Sequence, residues 1–245
     1  MMSAAFQPRD RDVQSMFDRI AGRYDLLNHV ISFRLDTRWR KQAIRSLLTT
    51  ANPLILDLGT GTGDLAYEAA KIAGAKARIV GLDISLQMLR FAQQKRTNAP
   101  HGVSTHFIQA SALAAPLRSG GFDGAMTAFV LRNVSDLPRF FAEAVRLLKP
   151  GGRFVSLDMY PPAGGWFRVL YACYFFCLMP FIAGLLSHDR KAYQYLSDSV
   201  RQFHAPETVA RLMEQAGFVE VKTEKFLHGA VCMHVAKKSA PSALL

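Results

Sequence analysis

The chain has 245 residues, half of them hydrophobic, and its 30 Lys and Arg outnumber 19 Asp and Glu to give a net charge of +11. That length buries a full core and reads as one α/β domain with additions, and the sequence carries no internal repeat or low-complexity segment. The positive excess makes anionic surfaces the expected partners, phospholipid or nucleic acid, without choosing between them.

Met1 to Asp12 is charged and lacks an apolar core, so no secretory signal is expected. Cys173, Cys177 and Cys232 are odd in number and form no ligand set for a metal, so they read as reduced, packed thiols of a cytosolic protein. From Val13, the residues Met16, Phe17, Ile20 and Tyr24 recur at helical spacing, and a second helix is expected near Asp36, taken as its N-cap, with Leu35, Trp39, Ala43 and Leu47 on one side. These helices precede the first strand. Residues 1–52 therefore read as a helical lid with Tyr24 and Arg34 in it, or as plain packing on the sheet edge.

Leu54 to Asp64, Leu-Ile-Leu-Asp-Leu-Gly-Thr-Gly-Thr-Gly-Asp, reads as a buried strand, a glycine turn and a helix start. Gly59, Gly61 and Gly63 let a ligand approach the backbone and permit positive φ. The dinucleotide fingerprint wants glycine where Asp64 stands, and a carboxylate there repels a pyrophosphate. Asp57 and Asp64 instead suit a ligand with positive charge, such as S-adenosylmethionine. Ile79 to Asp83 is a second strand whose terminal carboxylate suits both ribose hydroxyls, although Asp83 could also cap the helix that follows.

Strands and helices then alternate, which predicts a parallel sheet with helices on both faces. Val103 to Gln109 is the third strand, followed by Ser111, an adenine contact or a plain turn residue. Phe122 to Phe129 is the fourth. Ser135 or Asp136 caps a helix that stops at Lys149-Pro150-Gly151-Gly152, and Arg153 to Tyr160 is the fifth strand. Val169 to Leu186 carries no charge but is broken by Pro180 and Gly184, so paired short helices, packed on the core or walling a greasy site, are expected rather than a membrane span. Pro206 opens a helix ended by Gly217, Val219 to Phe226 and Gly229 to Val235 form an edge hairpin, and the tail from Lys237 is expected to fray.

The glycine loop, Asp83, Phe122-Asp123 and Leu148 to Gly152 resemble the class I S-adenosylmethionine-dependent methyltransferases. Phe17 to Asp25 (Phe-Asp-Arg-Ile-Ala-Gly-Arg-Tyr-Asp), Leu131-Arg132-Asn133-Val134, Ala192 to Leu196 and Ser199 to Arg201 resemble, more narrowly, the ubiquinone/menaquinone biosynthesis C-methyltransferases of the UbiE type. The similarity runs from about Val13 to Val235. It implies a Rossmann-like α/β fold, with a seven-stranded, mostly parallel sheet whose last strand is antiparallel. It also implies a methyltransferase domain over 53–236, a helical apolar insertion at 161–204, a tail at 237–245, and C-methylation of a prenylated quinol.

Carried over by position, the cofactor contacts fall on Thr62, Asp83, Ser111 and Ala112, beside Asp57, Gly59, Gly61 and Gly63. Ala128 stands where many members have serine, and Val130 where they have glycine, so Val130 is expected to reshape the acceptor pocket. Asp158-Met159-Tyr160 also departs from the usual Glu-Phe-Ser. Arg132 and Asn133 are the catalytic candidates, a guanidinium for developing phenolate charge and an amide to orient it. Proton removal falls to a water held by Arg132, or to His188, Tyr193 or His204. An RNA methyltransferase is disfavoured by the absence of an Asn-Pro-Pro-Tyr type signature or an RNA module; another lipid or small-molecule acceptor, or a nonenzymatic cofactor-binding module, stays as the alternative. The expected location is the inner face of a membrane, held peripherally from the cytoplasm.

Overall fold

The computed structural model describes residues 10–96, 104–162, 164–178 and 190–240. Seven strands form one sheet: β1 (Leu54–Leu58), β2 (Arg78–Asp83), β3 (Ser104–Gln109), β4 (Phe122–Ala128), β5 (Leu148–Met159), β6 (Phe218–Phe226) and β7 (Val231–Lys238), in the order β3-β2-β1-β4-β5-β7-β6. Only β7 runs against its neighbours. It sits between β5 and β6 rather than at the edge. Lys237 and Lys238 still pair in it, with Arg153 and Phe218, so the expected fraying does not begin there.

β1 is buried on both faces because helices cover both, and its apolar residues divide between two cores. One core takes Leu56 and Leu58 with Phe140, Phe141 and Phe154, whose rings meet edge to face at 5.6 to 6.4 Å. The other takes Ile55 with Trp39, Ile44 and Leu47. The helices concerned are α1 (Asp10–Ile20), α2 (Tyr24–Ile31), α3 (Leu35–Leu47), α4 (Asp64–Ala73), α5 (Leu86–Lys95), α6 (Leu137–Leu147), α7 (Gly165–Ala172), α8 (Arg190–Arg201) and α9 (Pro206–Gln215).

Local signals set most boundaries. Asp136 caps α6 by accepting from Arg139 N at 3.0 Å, and Pro206 occupies the first turn of α9, where its missing N–H costs nothing. Asp36 is not the cap expected of it. Arg34, left-handed at φ 61°, holds the cap position of α3, while Asp36 lies buried in the first turn. The Lys149 to Gly152 stretch likewise belongs to β5, as a bulge where pairing with β4 jumps from Phe122↔Leu148 to Gly124↔Arg153. After α7 the apolar segment continues as a π-helical turn, Cys173–Leu178; the rest of it, with Pro180 and Gly184, lies outside the described residues. Cys173 is exposed rather than packed, whereas Cys232 is buried.

Candidate active site

The first cavity forms where β1 and β2 end. Gly59 N and Thr60 N donate to the Leu82 carbonyl at 2.7 and 2.9 Å, folding the glycine loop over β2. Asp83 then ties the loop: one carboxylate oxygen accepts from Gly61 N and the other from Ser85 N, each at 2.8 Å. Burial raises its pKa. Gly59, Gly61 and Gly63 all have positive φ, as the turn requires. The cavity, about 690 Å³, has Gly59, Gly61 and Asp83 on one wall, Ser111 and Ala112 on the next, and Asn133 opposite. Phe17 of α1 and Tyr24 of α2 complete its lining.

Other expected contacts lie elsewhere. Thr62 donates to Asp25 at 2.5 Å and accepts from Lys95 at 3.1 Å, in a polar cluster beside the cavity. Asp64 pairs with the same Lys95 at 2.5 Å, which it shares with Asp25, and it lines a polar cleft and not the first cavity. Gly63 serves packing, since a Cβ there would press on Ala92, Tyr67 and Phe107. Asp57, buried behind the loop, accepts from Thr60 Oγ1 at 2.7 Å, and burial lifts its pKa to about 7. Ala128 ends β4 against the second core and lines no cavity described.

Val130 lines the first cavity, not the second. Its methyl carbons lie 2.6 and 2.8 Å from where a Cβ on Gly59 would stand, so the extra bulk fills space above the glycine loop instead of reshaping the acceptor pocket.

The second cavity encloses about 1210 Å³ and is mostly apolar, with Ile31 and Phe33 after α2, Trp39 on α3, and Phe167, Tyr171 and Phe175 in its walls. Arg132 is its cation. The guanidinium is 7% exposed, pairs with Asp158 Oδ1 at 2.6 Å, and stands 6.0 Å from the Phe129 ring centre. Burial opposes its charge, and the Asp158 carboxylate more than restores it, leaving the pKa raised. Its Nε has no hydrogen-bond partner among the described residues. The phenols of Tyr24, Tyr171 and Tyr195 lie in its field, and burial pushes Tyr195 up to about 12.

Asn133 sits one residue on, in the same 3-10 turn (Leu131–Asn133). Its amide donates to the Phe129 carbonyl at 3.2 Å, and its Oδ1 is buried without a partner among the described residues, an open acceptor. Of the three side chains considered for proton removal, His188 and that of Tyr193 lie outside the described residues. His204 is exposed and lines neither cavity.

Backbone strain gathers at the second cavity. Six non-glycine residues among those described have positive φ; Phe33, Phe129 and Leu227 line it, and Arg34 and His228 adjoin two of these. Such conformations cost on the order of 1 to 3 kcal/mol each and persist where the surroundings hold them. Here they set Phe33 and Leu227 at the exposed rim and Phe129 in the buried wall. Sequence reading missed Asn28, Ser32, Phe129 and Met159 as lining, because no local pattern joins α2, β4 and β5 into one wall.

The first cavity fits S-adenosylmethionine: a glycine turn open to close approach at Gly61, where a Cβ would meet only Tyr24 at 3.9 Å, a carboxylate at Asp83 for ribose hydroxyls, and the open Asn133 Oδ1 as an acceptor for an ammonium. When bound, that group supplies the methyl and leaves as a neutral thioether.

The ubiE/COQ5 methyltransferase family model matches residues 5–238. A demethylmenaquinone methyltransferase of Thermus thermophilus is 42% identical over 223 residues, covering 91% of this chain and all of that one. A ubiquinone/menaquinone biosynthesis C-methyltransferase UbiE of Syntrophotalea carbinolica is 40% identical, covering 98% and 99%. Among solved structures, the [4+2]-cyclase SpnF superposes with a TM-score of 0.68 at 16% identity, over 97% of this chain and 99% of that one. A possible histamine N-methyltransferase of Thermotoga maritima gives 0.63 at 22%, over 92% and 99%. These structural likenesses carry the fold alone. The sequence matches, spanning both cavities and the turn between them, make this chain a member of the ubiE/COQ5 methyltransferase family.

Proposed function

We propose that the protein transfers a methyl group from S-adenosylmethionine to a ring carbon of a prenylated hydroquinone, a demethylmenaquinol or a related ubiquinone precursor. The observation that carries this is the pair of cavities meeting at Phe129 to Asn133, one built for the cofactor and one apolar with a single buried arginine pair. The printed names of the relatives support the same acceptor.

In this reading Asp83 and the loop amides hold the cofactor's ribose end, with Ser111 and Ala112 beside the adenine. Asn133 orients the reacting end. Arg132, pre-set by Asp158, stabilises the ring oxygen as it becomes anionic, in a site where the low dielectric strengthens that interaction. The apolar walls hold the ring and the start of its chain while excluding water. The helical lid reading is supported by Phe17 of α1 and Tyr24 of α2 in the cofactor cavity, and the described part of the apolar insertion supplies Phe167, Tyr171, Phe175 and Leu196 to the acceptor cavity.

The acceptor lives in a bilayer, so the enzyme works at the inner face of an anionic membrane. No described helix is long and apolar enough to cross one. Phe33 and Trp166 are each 72% exposed and Val169 65%, and Phe33 lines the acceptor cavity while Trp166 packs edge-on to Phe167, another lining residue. Aromatic side chains at the mouth of a lipid-accepting site, with a net charge of +11, fit reversible binding to anionic headgroups. The test is methylation of a demethylquinol panel with labelled cofactor, with tRNA as the control. Label in a quinol and none in tRNA is expected; label in tRNA alone would overturn the proposal.

A further inference from the structure

Besides Arg132, the acceptor cavity is lined by a second buried charged side chain, Asp36. Asp36 is 1% exposed and belongs both to this cavity's wall and to that of a polar cleft of about 870 Å³ between α3, α4 and α5. No other residue is shared by the two linings. Ser32 Oγ donates to Asp36 Oδ1 at 2.7 Å and fixes the carboxylate. His29 Nδ1 lies 3.3 Å from both oxygens, and Arg40 Nε is 3.5 Å from Oδ2. Oδ2 is buried without a hydrogen bond among the described residues. Arg40 balances the carboxylate's charge as an ion pair, while Oδ2, with no hydrogen bond of its own, keeps acceptor capacity for a donor in the cavity. His29 lines the polar cleft and not the acceptor cavity, so the pair spans the wall.

We propose that Asp36 is the proton acceptor for the ring hydroxyl next to the reacting carbon, and that His29 relays the proton to the polar cleft. The proposal rests on the hydroquinone reading above. One proton must leave per methyl transferred, because a cationic sulfonium becomes a neutral thioether while the ring exchanges hydrogen for methyl. The hydroxyl O–H bond breaks and an O–H bond forms on Asp36 Oδ2. His29 Nδ1 takes that proton as Nε2 releases one to water in the cleft. The remaining ring oxygen carries the negative charge that Arg132 faces across the cavity. Arg132 stays protonated throughout, which suits a charge stabiliser and not a base. Asp36 supplies the base at a position that no cofactor residue occupies.

Two measurements test this, one of them independent of turnover. A hydroquinone already methylated at the reacting carbon is titrated into protein, and its phenolate absorbance is read. After a jump in pH the bound ring should ionise fast in the wild type and much more slowly, to no smaller final extent, in Asp36→Asn, because a base sets the rate of proton transfer and not its equilibrium. In single-turnover methylation, Asp36→Asn should slow transfer by about a hundredfold or more, as loss of a general base does, with cofactor affinity unchanged. His29→Ala should slow it less, and added imidazole should restore the rate. An Asp36→Asn protein that keeps the wild-type rates of ring ionisation and of methyl transfer overturns the inference and leaves the hydroquinone reading standing. Equal losses of cofactor binding, folding and rate, with no imidazole rescue, would make Asp36 a merely structural carboxylate and also overturn it. Failure of the wild type to bind any hydroquinone would overturn both.

Discussion

Arg132 and Asn133, consecutive in one 3-10 turn after β4, line different cavities: Arg132 the apolar one beside Asp158, Asn133 the one walled by the glycine loop and Asp83. A turn of about three residues sends neighbouring side chains roughly 120° apart. On the proposed function adjacent residues would serve two ligands, and their variants should separate.

Asn133→Ala should weaken S-adenosylmethionine binding by about 1.5 to 3 kcal/mol, the worth of a hydrogen bond to a charged group, and leave the fold intact. Arg132→Ala should leave cofactor affinity nearly unchanged and abolish most turnover. It also strands the buried Asp158, so a stability loss of about 3 to 5 kcal/mol is expected, and Arg132→Ala combined with Asp158→Asn should recover part of that stability and none of the turnover. Calorimetry and urea melts read the two effects apart. Matching losses of cofactor affinity in both single variants would refute the division.

Asp83→Asn should weaken the cofactor by about 1.5 to 3 kcal/mol. Its carboxylate also holds Gly61 N and Ser85 N, so a loosened glycine loop should accompany the loss. Amide exchange at Gly61 is the direct measurement, and slow exchange there in the variant would count against this dual role.

Asp57→Asn should raise stability. The folded-state pKa, about 7, exceeds the ordinary 3.8, so the native state binds the extra proton and stability is lost as pH rises through that window. The variant's advantage should therefore be absent near pH 3.8 and grow until about pH 7, on the order of 1 to 3 kcal/mol. An advantage that shrank with rising pH would contradict the sign.

Gly59→Ala should fail doubly. A left-handed φ of 75° disfavours a Cβ, and that Cβ would stand 2.6 Å from Val130 Cγ2. Adding Val130→Ala removes the clash but not the backbone cost of about 1 kcal/mol, so thermal melts should show partial rescue. Full rescue would mean the conformation matters little.

Phe33→Ser and Trp166→Ser should lower flotation with anionic liposomes, by more when combined, with little change in melting temperature because both side chains are exposed. High salt should release the wild type. Salt-resistant retention would mean deeper insertion than a rim of aromatics provides.

The sheet was legible in the sequence because buried parallel strands read as apolar runs, and glycine, proline and Asp136 punctuate them by local stereochemistry. The strand after Arg78, the glycine turn and Asp83 follow from spacing alone. Asp36 shows the limit: as a residue type it is a good N-cap, yet Arg34 takes the cap in a left-handed conformation because Phe33 and Arg34 make the bend between α2 and α3. Asp64 shows another, since the lysine that pairs with it, and with Asp25, lies 31 residues away on α5. Sequence determined the reaction class through contiguous motifs, whose residues are held by one loop or turn. Tertiary structure decided which cavity each side chain serves, that Arg132 is paired with Asp158, and that Asp36 bridges two cavities. Those facts depend on β4, β5 and the helices before β1 packing side by side, and contacts between segments so far apart in the chain are set by the energy of the whole core, which no local pattern records.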